Sequence, residues 1–471
     1  MSERKRRPKS VTKADTRTTP ANGESEDIEE AFWTARPILE DLRTFAQANM
    51  VSSWATLGAV LVRALSIVPP RVVLPRGFGG GEGSLNLFVA LVGRSSQGKG
   101  GAENVARDFL SIDPEPVTVT VGSGEGIPKM FAFKRMTKEG PEQVNERNTV
   151  IFSTAEVDTL TALQERNGST LIQQLRSAWS GERLGFAYAD PAKFVNIERH
   201  RYRLSLVVGV QPLRAGRLME DADGGTPQRF LWFPTAEPES PELIPTEPAS
   251  WSLTPWASRE GPKGKGSARI IGEATTGVAL LEDPVTREEL TVLTIPEEAR
   301  QFMIDHRKKN LRDKNGSGVA LDGHASLARL KVAAALMTLD GRCAEITGED
   351  WTLAGVIQEV SNRERAYVEQ VLADKSARDN VTRGRSRGIQ DVAAEDVRDT
   401  GAVQRVAKNI CKHLEKEEDN ELGAGKIKNK IKFKDRDHFE EAVAHLVAAG
   451  IVEELKRKGQ GMQRRILALI E

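Results

Sequence analysis

Lys99 and the glycines around it are the residues best suited to chemistry. Gly93-Arg94-Ser95-Ser96-Gln97-Gly98-Lys99 satisfies the spacing G-x-x-x-x-G-K, and Gly100 and Gly101 follow. In that pattern glycines let the backbone curl until several N–H groups converge on an anion. The dipole of a following helix adds to the field, and the lysine sets a point charge beside the β and γ phosphates of a nucleotide. The pattern asks for Ser or Thr after the lysine to hold Mg²⁺, and Gly100 stands there instead. Gly93, Ser95, Ser96, Gln97, Gly98, Lys99, Gly100 and Gly101 are the candidate cofactor-binding residues, for ATP with Mg²⁺. A glycine-rich turn that holds no nucleotide is the alternative, and Gly100 is its best argument.

Three further positions complete a catalytic constellation. Glu156 follows the apolar run Thr149–Phe152, where a P-loop ATPase places the carboxylate that polarises the attacking water. The Asp expected just before it is Ala155, and Asp158 either compensates as a metal ligand beside Glu156 or caps the helix starting near Thr159. Gln211 stands at the tip of the apolar run Arg201–Val210, a place from which a polar group senses the γ-phosphate or the water; capping the strand end is its bland reading. Arg229 sits between the Gly224-Gly225-Thr226-Pro227 turn and the apolar Phe230-Leu231-Trp232. Presented that way, a guanidinium reaches a neighbouring subunit's phosphates as an arginine finger, or it makes a structural ion pair.

The elements that must position these residues are legible around them. Leu85 to Val92 is a short apolar run of the kind covered on both faces, and Ala102 to Leu110 can continue as a helix. Val117 to Val121 reads as a β-branched strand, and the turn Gly122–Gly126 follows it. Ahead of this core, 28–80 is helical, with Phe32, Ile38, Leu42 and Phe45 on one stripe and a second helix over Ser52–Ile67 closed by Pro69-Pro70. The expected core spans 81–235. A proline-rich excursion (236–294), a helical domain (295–376) and a charged, glycine-containing linker (377–400) follow it.

The last part, 401–471, reads as a winged helix-turn-helix: helices over Val403–Leu414 and Asp437–Ala449, then a two-stranded hairpin with a basic tip. Lys426 to Lys434 carries five lysines and fits either a strand or a helix. Lys426, Lys428, Lys430, Lys456, Arg457 and Lys458 are the candidate nucleic-acid contacts, with a protein-interaction module as the alternative. Residues 1–27 read as a disordered tail, basic and then acidic.

Composition bounds the rest. The chain has 471 residues and balances 67 basic against 67 acidic side chains, so a polyanion must be met by local patches rather than a global field. Cys343 and Cys411 lie far apart, against zinc and disulfide frameworks and in keeping with a reducing cytoplasm. The apolar run Gly58–Val68 is too short to span a membrane and contains Arg63, and the polar N-terminus carries no secretory signal. No cluster of carboxylates with a neighbouring His suggests a primase site.

With those residues in view, the chain resembles a family of uncharacterised P-loop ATPases from bacterial, plasmid and phage replication loci. These occur beside primase-polymerase domains and are treated as replicative helicases. The resemblance spans Phe32 to Tyr367 and rests on SLNLFVALVGRSSQGKG, FSTAEVDTL, RLSLVVGVQP, GGTPQRFLW and HASLARLKVAAALMTLDG with GEDWTLA. It implies an α/β P-loop NTPase core of the RecA or AAA+ kind with flanking helices, to which the residues of 401–471 add the C-terminal winged helix-turn-helix. It also implies a homo-oligomer working on DNA with primase or other replication partners, and gives Lys99, Glu156, Gln211 and Arg229 the roles of P-loop lysine, base, sensor and finger. A non-hydrolysing initiator or loader adaptor that senses ATP is the competing expectation, favoured by Gly100 and Ala155.

Overall fold

Successive residues of a strand point to opposite faces, and the apolar run before the loop divides by that rule. In the computed structural model, which describes residues 22–77, 80–164, 170–186, 194–221, 224–237, 241–253, 256, 281, 283–312, 324–459 and 462–470, Phe88–Val92 forms strand β1. Leu85, Leu87, Val89 and Leu91 enter one apolar core, while Phe88, Ala90 and Val92 enter another. A strand that is apolar on both sides needs cover on both sides.

Four more strands complete a parallel sheet: β2 (Thr118–Val119), β3 (Thr149–Thr154), β4 (Arg203–Val210) and β5 (Phe230–Pro234). Their spatial order is β2-β3-β4-β1-β5. Phe88 lies level with Leu206 on one side and Phe230 on the other, so β1 is central and all strands run the same way. The chain leaves β1 for the far edge, returns through β3 and β4, and then passes β1 to add β5. This is a mixed α/β fold around a central parallel sheet.

Helices cover both faces. On one side lie α1 (Asn22–Thr34), α2 (Pro37–Ala48), α3 (Ser53–Ser66) and α4 (Lys99–Phe109); on the other lies α5 (Leu171–Ser180). Helix α3 is buried along its whole length. Ser52 caps it by accepting from Ala55 N at 3.3 Å and donates to Pro234 O at 2.7 Å, tying the helix start to the end of β5. A Cβ at Gly58 would stand 2.6 Å from the Phe233 ring, so the close packing of α3 on β5 requires glycine there. Helices α6 (Ala325–Leu339) and α7 (Gly348–Leu414) follow.

The structure departs from the sequence expectations in several places. Residues 132–145, inside the expected core, form an antiparallel hairpin of Ala132–Thr137 with Gly140–Asn145. The segment 377–400, expected as an irregular linker, is helical within α7. Its two glycines lower helix propensity without forbidding the conformation, and Arg385 and Arg387 between them are good helix formers. The basic arm up to residue 21, part of the Gly77–Gly83 lead-in, and the Gly261–Gly266 stretch of the excursion lie outside the described residues.

The chain divides into two units after Ala373. In the second, the end of α7 is followed by β6 (Glu421–Gly423), α8 (Ala424–Lys430), α9 (Phe439–Ala448), β7 (Val452–Gly459) and β8 (Met462–Leu469). Val406, Ile410, Leu414, Ile427, Phe439, Val443 and Leu467 share its core. The lysine-rich segment resolves as helix through Lys430, because Ile427 and Ile431 both turn inward. The expected two-stranded hairpin is part of a three-stranded antiparallel sheet of order β6-β8-β7.

Candidate functional site

The loop after β1 opens at the carboxyl end of the parallel sheet, where the strand order reverses around β1 and open α/β sheets bind ligands. Its geometry depends on two glycines for different reasons. Gly93 donates N–H to Val210 O at 2.9 Å, and a Cβ there would fall 1.8 Å from Thr235 Oγ1. Gly98 has φ +75° and caps α4 in the left-handed region that glycine tolerates. Ser96 takes φ +67° without being glycine. Gln97 Oε1 accepts from Arg94 N at 2.6 Å, which closes the loop on itself. Ser95, Ser96, Gln97, Gly98 and Gly100 are exposed. The first N–H groups of α4, on Lys99, Gly100 and Gly101, have no intrahelical acceptor.

Lys99 Nζ donates to Gly93 O at 3.0 Å and Arg94 O at 2.9 Å. An ammonium has three donors, so one remains for an incoming anion. Partial burial lowers its pKa from the usual lysine value, and the nearby Glu156 carboxylate opposes that shift. Gly209 of β4 stands where a Cβ would lie 2.0 Å from Ala155 O and 3.3 Å from Lys99 Cδ. The lysine stem therefore passes directly over the tips of β3 and β4.

Glu156 and Gln211 meet at this same edge, with Gln211 Nε2 donating to Glu156 Oε1 at 3.1 Å, both side chains reachable from solvent. Asp158 Oδ2 is 2.6 Å from Arg214 Nη1. Arg229 is placed differently. It precedes β5 at the amino-terminal edge, roughly 17 Å of strand away from the loop. Its Nη1 donates to Gly224 O at 3.1 Å and Gly225 O at 2.7 Å, and its guanidinium lies 5.6 Å over the Trp179 ring. Within one chain, Lys99, Glu156 and Gln211 come together and Arg229 does not.

Mg²⁺ finds a poor fit at the expected positions. Gly100 and Ala155 carry no side-chain oxygen, Asp158 is engaged by Arg214, and among the described residues no group of three or more His, Cys, Asp or Glu is placed to hold a metal ion.

Residues that sequence reading missed lie close by. Glu103, one helical turn beyond Lys99, accepts from Ser153 Oγ at 2.8 Å, and burial raises its carboxyl above the usual range. The i,i+4 spacing from Lys99 was a usable signal for it. Arg214, three residues after Gln211, was equally visible. Thr235 had no sequence signal, since its contact with Gly93 exists only because β5 lies beside β1.

In the second unit the basic residues are partly neutralised. Lys428 lies 3.8 Å from Glu440, Lys430 3.6 Å from Glu417, and Arg457 2.9 Å from Glu421. Lys426 and Lys456 are exposed, and the Lys458 side chain lies outside the described residues. Phe433, flanked by Lys432 and Lys434, is 84% exposed, with the Arg436 guanidinium 5.8 Å over its ring. No helix among the described residues is long and apolar enough to cross a membrane. No protein-family model matches this chain, and no curated protein matches it.

Proposed function

We propose that the chain is an ATP-binding P-loop protein of mobile-element or phage DNA replication, acting in the cytoplasm as an oligomeric DNA-dependent ATPase of the helicase or translocase type. The observation that carries this reading is the convergence of Lys99, Glu156 and Gln211 beside an anion-ready loop at the carboxyl edge of the sheet. The free N–H groups of α4 and the remaining Lys99 donor suit the β and γ phosphates. Glu156, held by Gln211, is placed to orient a water for attack on the terminal phosphorus, and stabilisation of the developing charge falls to Lys99. Arg229 serves only in trans on this reading, and must first leave its two carbonyls and Trp179. The replication setting and any primase partner rest on the family resemblance alone.

The second unit fits the winged-helix reading, with Lys426, Lys456 and the exposed Phe433 as its phosphate and base contacts. Gly100, Ala155 and the Asp158–Arg214 pair favour a second reading, in which the loop binds ATP without turning it over. Nucleotide binding and turnover by the wild type, Lys99→Ala and Glu156→Gln, with and without DNA, separate these possibilities. Lys99→Ala should lose at least about 100-fold in ATP affinity. Glu156→Gln should keep affinity and lose turnover. Equal ATP affinity in Lys99→Ala overturns the nucleotide site, and binding without turnover in the wild type selects the second reading.

A further inference from the structure

Residues 373–400 of α7 form about 40 Å of helix that is exposed at every position. Isolated helices draw little stability from propensity alone, and Gly384 and Gly388 weaken this one further. The segment nevertheless presents a patterned face. At 3.6 residues per turn, Ala377, Val381, Gly384, Gly388 and Val392 fall on one stripe with Ile389 at its border. Val381, Ile389 and Val392 are 56%, 71% and 61% exposed. Arg385, Gly388, Ile389, Val392, Ala393 and Asp396 line a shallow groove on that face.

Charge identifies the occupant. From 374 to 387 the helix carries five cations against two carboxylates; from 388 to 400 it carries four carboxylates against one cation. On the apolar face itself lie Asp374, Arg378 and Arg385 in the first half, and Glu395, Asp396 and Asp399 in the second. A helix that is basic then acidic is complementary to its own reverse.

We infer that this face binds the same face of a second copy of the chain, as an antiparallel helix pair. One register aligns the apolar residues and most of the charge. Val381 of each copy lies level with Val392 of the other, Arg378 with Glu395, and Ile389 with Gly384, while Asp374 lies level with Asp399 as one like-charge contact near each end of the pair. The contact is isologous, as a two-fold pair requires. It does not depend on the nucleotide reading, and its failure would leave that reading intact.

Sedimentation of the full chain across the micromolar range tests the pairing. The wild type should self-associate. Arg378→Glu with Arg385→Glu makes both halves acidic, and Glu395→Lys with Asp396→Lys makes both basic. Each variant alone should dissociate at least tenfold more readily, and an equimolar mixture should recover wild-type affinity by forming mixed pairs. Under oxidation, Val381→Cys with Val392→Cys should yield a covalent dimer linked between those two positions, whereas Val381→Cys alone should not. A wild type that stays monomeric, charge variants that associate normally, or a 381–381 link overturns the antiparallel pair. Loss of DNA binding in the acidic variant with unchanged association assigns the basic half to nucleic acid instead.

Discussion

The two edges of the central sheet treat charge in opposite ways. At the carboxyl edge, Lys99, Glu156 and Gln211 are reachable from solvent and make few contacts. At the amino edge, cations are sunk into the protein. Arg203, at the start of β4, is fully buried and donates to Val68 O, Pro69 O, Val72 O and Asn86 Oδ1. Lys331 of α6 is fully buried, donates to Asn86 O at 2.7 Å and Trp179 O at 2.6 Å, and sits 3.4 Å from the centre of the Trp179 ring. Burial, with Arg203 and Arg229 nearby, drives its pKa well below the usual lysine range. Backbone carbonyls satisfy donors without adding a counter-charge, so these cations hold elements together. Lys99, at the start of α4, keeps one ammonium donor uncommitted, and the proposed anion site rests on that difference.

Removing one side chain from each edge should expose that difference most clearly. Arg203→Leu takes the guanidinium donors from three backbone carbonyls, Pro69 O keeping Val72 N at 3.0 Å, and should lower stability by about 3–5 kcal/mol. Lys99→Ala should change it by less than about 1 kcal/mol. Chemical denaturation of both variants is the check; comparable losses would mean that Lys99 is also structural, and the contrast between the edges would fail.

Titration sharpens the comparison with a smaller effect. His200, 5% exposed and at φ +60°, has no hydrogen-bond partner on either ring nitrogen among the described residues. Burial, then Arg199 and Arg203, lower its pKa to about 4, against the pull of Glu82. His324 is lowered to about 4 by burial, Arg229 and Lys331. A histidine whose folded pKa lies below its unfolded value of about 6.5 contributes fully above that value. The contribution is lost as pH falls toward 4, because the unfolded chain takes the proton first. His200→Asn tolerates the left-handed backbone and removes one of the two groups. Between pH 6.5 and 4 it should flatten the stability profile by about 1–3 kcal/mol. An unchanged profile would show that His200 does not stay neutral.

The smallest effect is expected at Gly100, where a Cβ would meet nothing within 4 Å. Gly100→Ser should alter stability by less than about 0.5 kcal/mol while restoring the hydroxyl that the loop lacks. Calorimetric titration of ATP with and without Mg²⁺ measures the gain. A Mg²⁺-dependent increase in affinity in the variant but not in the wild type would show that this edge has room for a metal that its residues do not supply.

Local pattern was enough to determine much of this protein. The two-faced apolar run made β1 a central, covered strand. The glycine loop running into a helix was readable because glycine conformation and helix polarity are properties of a few consecutive residues, and the strand-end positions of Glu156 and Gln211 were readable because each follows an apolar run. The helical state of 377–400 was not legible, since two glycines among charged residues fit either linker or helix. The placement of Arg229 was decided only in three dimensions. Its segment reads as a flexible turn before a strand, but the parallel order β4-β1-β5 sends every strand start to one edge and every strand tip to the other. That order separates Arg229 from Lys99, sets Thr235 against Gly93, and brings Arg203 and Lys331 to the carbonyls that hold them. Contacts between residues far apart in the chain depend on strand order, and no local pattern encodes it.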